Sequence, residues 1–274
     1  MRGRPSGPAL HPGAYPAGRQ AASGLRPQAG SGSKVAPVFR SGVARQLLKE
    51  IRGSGETVVL VTGAGSFGHV KAKKYGLKDG YRSDDQWDGY VEVARDVRRL
   101  NLMVLDAGLG LGMRLISIPP SVSVLQAGGA IHYIDEGAFR RYLASGLTPL
   151  TFGDVALDTE RRFSICGGDA LMERLSLLLG AERAIFVSDV DGISVGVRGA
   201  MAREFAPEDL GRVTPAKGPR GEDVTGGIME KARLSLRMAA AGTEVVILNG
   251  SKQGRLLEAL RGGAPAGTWF RRPR

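Results

Sequence analysis

Residues 63 to 69 read Gly-Ala-Gly-Ser-Phe-Gly-His, directly after the apolar run Thr57-Val58-Val59-Leu60-Val61. Glycines let a backbone come close to a ligand, and the unpaired amides of a helix start attract anions. Ser66 and His69 add two side-chain donors. The chemistry suited to such a loop is phosphate binding. Three more loops sit at strand ends or helix starts: Gly153-Asp154-Val155 with Asp158, Gly167-Gly168-Asp169, and Asp223-Val224-Thr225-Gly226-Gly227 with Lys231. A related acidic loop, Ser188-Asp189-Val190-Asp191-Gly192, leaves the apolar run 184–187. This recurrence predicts a polyphosphate site. Backbone amides and Lys231 would hold phosphate oxygens, and carboxylates would orient lysines or the waters of Mg²⁺. Each element alone has a plainer reading. Asp154, Asp189 and Asp191 suit Asx turns, Asp169 and Thr225 suit helix caps, and Lys231 and His69 suit a solvated helix surface. Their co-occurrence favours function.

Two nucleotide-binding schemes can be tested directly. No Gly-x-x-x-x-Gly-Lys-Ser/Thr is present, which argues against a P-loop enzyme. Gly63-Ala64-Gly65-Ser66-Phe67-Gly68 does fit the dinucleotide fingerprint. That scheme needs a second strand ending in an acid about twenty residues on. Asp84, Asp85 and Asp88 follow, but the stretch Lys73 to Gln86 is polar and reads as no strand, so the dinucleotide scheme fails there.

The loops need a scaffold, and the apolar pattern supplies one. Helical periodicity runs from Val43 through Leu47, Leu48 and Ile51 to about Gly53. A strand covers 57–62, then a helix His69 to Tyr75. Asp85 starts a long helix with Tyr90, Val93, Val97 and Leu100 on one face, interrupted by Gly108, Gly110 and Gly112. Leu115 to Ile118 reads as a strand, Phe139 to Leu143 as a helix, and Pro149 to Phe152 as a strand. The second half repeats the alternation: helix 170–179, strand 184–187, a polar irregular insertion at 196–222, helix 227–241, strand 244–248 and helix 256–260. Strands alternating with helices predict an α/β fold with a mostly parallel sheet covered on both faces. Ligands in such folds collect at the carboxyl ends of the strands.

Composition narrows the class. The net charge of +11 invites a nucleic-acid reading, but the charge sits at the ends. Residues 1–52 hold nine Lys/Arg against Glu50 alone, and 271–274 add three arginines, which leaves 26 basic and 26 acidic residues between them. The central body is neutral, and no nucleic-acid partner is expected. No apolar run is long enough to cross a membrane. One cysteine, Cys166, excludes an internal disulfide framework and fits a cytoplasmic protein. No Cys/His set has zinc-site spacing, so no protein-held metal site is expected. Residues 1–33 are rich in Gly, Pro, Ala and Arg and contain no acid, so they read as a disordered tail outside a single domain 34–274. The tail is Arg-bearing like a transit peptide, but its glycines and prolines spoil an amphipathic helix.

Taken together, these loops resemble the amino acid kinase superfamily, and within it isopentenyl phosphate kinase. The residues that carry the resemblance are Gly65-Ser66-Phe67-Gly68-His69 with Ala72, Tyr75, Gly76 and Leu77, then Pro149 to Asp154 with Asp158, Ile165 to Asp169, Asp189 to Gly192, and Asp223 to Gly227 with Lys231. The resemblance implies a three-layer αβα sandwich and a homodimer. It implies phosphorylation of a small molecule, isopentenyl phosphate, with ATP and Mg²⁺. Gly65, Ser66, Gly68 and His69 would hold the acceptor phosphate, His69 as a direct donor, with Gly168 facing them. Lys231 would hold transferring oxygens, Asp169 would orient the lysines, and Lys34 matches a lysine that follows the first strand. Asp189, Asp191, Gly192, Gly226 and Gly227 would border ATP. The acceptor would bind the half up to about residue 160, and ATP the half from about 161. An apolar tail would need a pocket, for which Tyr90, Val93, Leu100 and Met103 are candidates beside their role in core packing. Fosfomycin-phosphorylating kinases look similar in the first loop.

The sequence departs from the family at its start. The family opens with a strand carrying Lys-x-Gly-Gly-Ser, whose lysine and glycines bind ATP phosphates. Residues 1–33 offer only Arg19-Gln20-Ala21-Ala22-Ser23-Gly24, a poor substitute in no strand-like context. This predicts either an altered N-terminus, through a reading-frame or start-site error, or a catalytically inactive relative that binds ligand. Smaller departures are Gly167 in place of Ser and Ala170 in place of an acid.

Overall fold

The computed structural model describes residues 20–23, 39–196, 199–214 and 225–273, of which 20–23, 225 and 226 are described by backbone alone. Strand β1 (Gln20–Ser23) is followed by helix α1 (Ser41–Ser54), β2 (Val58–Thr62), α2 (Gly65–Lys74) and the long α3 (Asp85–Leu109). Then come β3 (Leu115–Ser117), the single turn α4 (Pro120–Ser123), the hairpin β4 (Val124–Ala127) and β5 (Ala130–Ile134), α5 (Glu136–Ala144) and β6 (Thr148–Phe152). A second hairpin, β7 (Asp154–Asp158) and β8 (Arg162–Cys166), leads into α6 (Gly168–Leu179) and β9 (Arg183–Ser188). The small ribbon β10 (Ser194–Val195) and β11 (Ala200–Met201) precedes α7 (Thr225–Ala240), β12 (Glu244–Asn249), α8 (Arg255–Leu260) and β13 (Thr268–Phe270).

The main sheet has the order β13-β12-β9-β1-β2-β6-β3. All neighbours are parallel except β13, which lies antiparallel on β12. Every residue of β2 is buried because both faces are covered. Val58 and Leu60 join one core with Leu47, Leu48 and Ile51 of α1, Val104 of α3 and Leu256 of α8. Val59 and Val61 join the other, with Leu171 and Leu175 of α6 and Ala232 and Met238 of α7. β9 and β12 alternate in the same way, Ile185 and Val246 to the first layer, Phe186 and Val245 to the second. The three-layer α/β sandwich follows from this alternation. Among the described residues no helix is long and apolar enough to cross a membrane.

Three expectations are corrected. Gln20–Ser23 is not part of an outlying tail: it is the middle strand, registered between Val58–Val61 and Arg183–Phe186. Asp154 and Asp158 are not loop residues. They open and close β7, in a second sheet of order β5-β4-β7-β8. The glycine loop itself is helical, since α2 begins at Gly65, four residues before His69. Gly65 takes a φ of +50°, a conformation that costs a glycine little.

Candidate active site

The carboxyl ends of β2 and β6 and the start of α6 come together at Gly63, Gly153 and Gly168. The Gly153 amide donates to the Thr62 carbonyl at 2.8 Å. A Cβ added to Gly153 would lie 3.2 Å from the Ala64 nitrogen and 3.5 Å from the Gly168 nitrogen. A Cβ on Gly168 would lie 3.3 Å from the Thr62 carbonyl oxygen. A side chain would be crowded at either glycine, so three chain segments approach closely here, with the Ala64 and Gly168 nitrogens on either side of Gly153. Both helices that start there lack a side-chain cap: Ala64 precedes α2 and Gly167 precedes α6. Their first amides have no intrahelical acceptor, and both helix dipoles favour an anion. Ser66 Oγ is buried without a hydrogen-bond partner. α2 lies against α3 through Gly68, where a Cβ would sit 3.2 Å from Val97 Cγ1. His69 follows on the exposed side of the same turn.

Asp169, in the first turn of α6, accepts a hydrogen bond from Lys231 Nζ at 2.6 Å. Lys231 is only 5 % exposed, and its ammonium stands 4.2 Å over the Phe186 ring of β9. A buried lysine needs anionic partners to offset lost hydration. The structure thus places Gly65, Ser66 and Gly68 at the start of α2, Gly168 and Asp169 at the start of α6, and Lys231 on α7, from which it reaches Asp169. Nothing in the sequence marks Phe186 as the lysine's support, because it reads as ordinary strand core.

The remaining site candidates lie on β9 and α7. Asp189 and Asp191 follow the carboxyl end of β9, where Asp191 is paired with Arg255 at 2.6 Å and the Asp189 carbonyl accepts from Asn249 at 3.3 Å. Gly192 has a packing reason of its own, since a Cβ there would lie 2.4 Å from Thr268 Oγ1. Gly226 and Gly227 belong to the first turn of α7. Lys34, Asp223 and Val224 lie outside the described residues. A small core cluster adjoins the glycine loop: Val93, Val97, Phe152, Val155 and Phe163 are buried together, with Ala64, Tyr90 and Ile165 packed on them. Of the four apolar candidates, Val93 is buried in this cluster and Tyr90 packs on it, whereas Leu100 and Met103 are not part of it.

Asp158 does structural work. It accepts from the amides of Gly128, Gly129, Glu160 and Arg161 and from Ser164 Oγ, all within 3.1 Å. Burial alone would raise its carboxyl, but these donors outweigh burial and hold it down to about 2.

Comparison with known proteins agrees with this architecture. The model of the amino acid kinase family matches residues 38–249. The isopentenyl phosphate kinase of Methanothermobacter thermautotrophicus is 33 % identical over 224 residues, 78 % of this chain and 84 % of that protein. The isopentenyl phosphate kinase of Thermoplasma acidophilum is also 33 % identical, over 79 % of this chain and 86 % of its own length. A crystal structure of isopentenyl phosphate kinase superposes with a TM-score of 0.75 at 28 % identity, covering 92 % of this chain and 99 % of its own. The chain belongs to the amino acid kinase family, as a phosphotransferase of its isopentenyl phosphate kinase branch.

Proposed function

We propose that the chain transfers the γ-phosphoryl group of ATP to isopentenyl phosphate, giving isopentenyl diphosphate and ADP. The observation that carries this reading is the meeting of two uncapped helix starts over Gly153, beside the ion pair that buried Lys231 makes with Asp169. A phosphate monoester is already an anionic nucleophile near neutral pH, so the transfer needs no general base. Positioning and charge neutralisation supply the catalysis. The amides at Gly65, Ser66 and Gly168, with Ser66 Oγ and His69, hold the acceptor phosphate. Lys231 neutralises the transferring phosphoryl group, and Asp169 fixes where its ammonium stands. Asp189, Asp191, Gly192, Gly226 and Gly227 border the nucleotide.

Among the described residues no three His, Cys, Asp or Glu side chains converge as a metal site. Mg²⁺ fits as an ion carried on the nucleotide phosphates with its own waters, where it neutralises their charge. Val93, Val155 and Phe163 are closed in the core, so a short hydrocarbon tail, which a small polar phosphonate such as fosfomycin lacks, would meet this cluster at its partly buried edge, beside Tyr90. A second reading, a relative that binds but does not turn over, rests on Gln20-Ala21-Ala22-Ser23 standing in β1 without the family's lysine and paired glycines. Incubation with ATP, Mg²⁺ and each acceptor separates these readings. Isopentenyl diphosphate supports ours, a phosphorylated fosfomycin supports the rival kinase, and binding without product supports the inactive relative.

A further inference from the structure

We propose that Asp154, Arg98 and Ser121 are positioning residues that set acceptor affinity by holding Gly153 in its place between Ala64 and Gly168. The inference rests on the acceptor assignment above. Asp154 is the residue after Gly153, and in the β7–β8 hairpin it is registered opposite Cys166, the residue before Gly167. One position therefore governs both strands that deliver glycines to the cradle. Its side chain is fully buried. Oδ1 accepts from the Val155 amide at 2.9 Å, while Oδ2 has no hydrogen-bond partner and lies 3.8 Å from Arg98 Nη2. The same Arg98 nitrogen donates to Ser121 Oγ at 2.6 Å, and Nη1 donates to the Ala94 carbonyl at 2.7 Å. The cluster thus ties β7 to α3 and α4.

Burying a carboxylate without a close ion pair is costly, and packing alone would be served better by an apolar residue. Burial pushes the Asp154 carboxyl above its ordinary range, and the Val155 amide, Arg98 and Ser121 pull it back. What the charge supplies here is a directional tie at the one point where the cradle strands meet. Its contacts run to α3, α4, β7 and β8, whereas the proposed nucleotide side lies after β9 and on α7. Disturbing the cluster should therefore act on the acceptor and spare ATP.

The test is steady-state kinetics of the full chain with isopentenyl phosphate and ATP varied separately, for Arg98→Ala, Arg98→Lys, Asp154→Asn and the double variant Arg98→Ala/Asp154→Asn. A small displacement of a positioning element reduces catalysis by up to about a hundredfold. We expect the acceptor KM to rise about tenfold in Arg98→Ala and Asp154→Asn, with the ATP KM within about twofold of wild type. Arg98→Lys should recover part of the loss, and the double variant should be no worse than the poorer single one. Unchanged acceptor KM in Arg98→Ala, or equal rises for both substrates, overturns the inference. Should Asp154→Asn fail to fold, Arg98→Ala decides alone, since Arg98 is 40 % exposed. Should the wild type give no turnover, the functional reading fails by itself, and binding of inorganic phosphate is measured instead. Arg98→Ala must then weaken it about tenfold, and equal binding overturns the inference.

Discussion

Lys231 Nζ lies 2.6 Å from Asp169 Oδ1, although 62 residues separate them in the chain. Asp169 stands in the first turn of α6 and Lys231 in the second turn of α7, so the pair forms only when these two helices pack side by side, as Arg237 of α7 and Glu173 of α6 also do. If Lys231 neutralises the transferring group, Lys231→Ala should lower kcat by roughly 10²- to 10³-fold, the scale seen when a preorganised electrostatic donor is removed. Asp169→Asn keeps the shape but not the charge, and should lower kcat by about tenfold or more. Steady-state rates at saturating ATP check both, and a kcat within twofold of wild type for Lys231→Ala refutes the role.

His69 is the second point of contact with the substrate in this account. His69→Ala should cost about ten- to a hundredfold in kcat/KM for isopentenyl phosphate, the scale of one charge-assisted hydrogen bond, while ATP binding stays intact. His69→Gln should retain part of the activity. Wild-type kinetics in His69→Ala would make the histidine a surface residue.

β1 makes a prediction about folding. As the strand between β2 and β9, it completes backbone hydrogen bonding on both sides. Removing residues 1–24 exposes two unpaired strand edges in the centre of the sheet. Thermal denaturation followed by circular dichroism should then lose its cooperative transition. A shortened chain that melts like the full one would place β1 outside the folded unit.

Much of the scaffold was legible because its strands are buried on both faces. Val58–Val61, Ala184–Val187 and Val245–Leu248 are apolar runs that only a covered parallel sheet accommodates. β1 was not legible, since Gln-Ala-Ala-Ser carries no such run and its place is set by the neighbours it pairs with. β7 was hidden by an Asp at each end, one buried against Arg98 and one gripping backbone amides, both of which read as turn residues. The loops of the candidate site were visible as glycine clusters, but the closeness of Gly153 to Ala64 and Gly168 is a tertiary fact that no local pattern encodes. Lys231 and Asp169 were each nameable, and their pairing came with the family resemblance.

Asp158 gives the fold a pH signature. Its carboxyl is held from an ordinary 3.8 to about 2 in the folded chain. Its contribution, on the order of 2 kcal/mol, is present above the unfolded value and lost as pH falls through the folded one. The stability gap between wild type and Asp158→Asn in urea titrations should be constant above about pH 5 and shrink between about pH 4 and 2. A gap that stays the same down to pH 2 contradicts the assignment.

The central claim is phosphoryl transfer to a phosphate monoester carrying a short hydrocarbon tail. The most direct measurement is ³¹P NMR of the purified full chain with ATP, Mg²⁺ and isopentenyl phosphate. The account predicts loss of the monoester resonance, growth of the two coupled resonances of isopentenyl diphosphate, and ADP in equal amount. An unchanged monoester signal, in a folded chain that binds ATP, would contradict it.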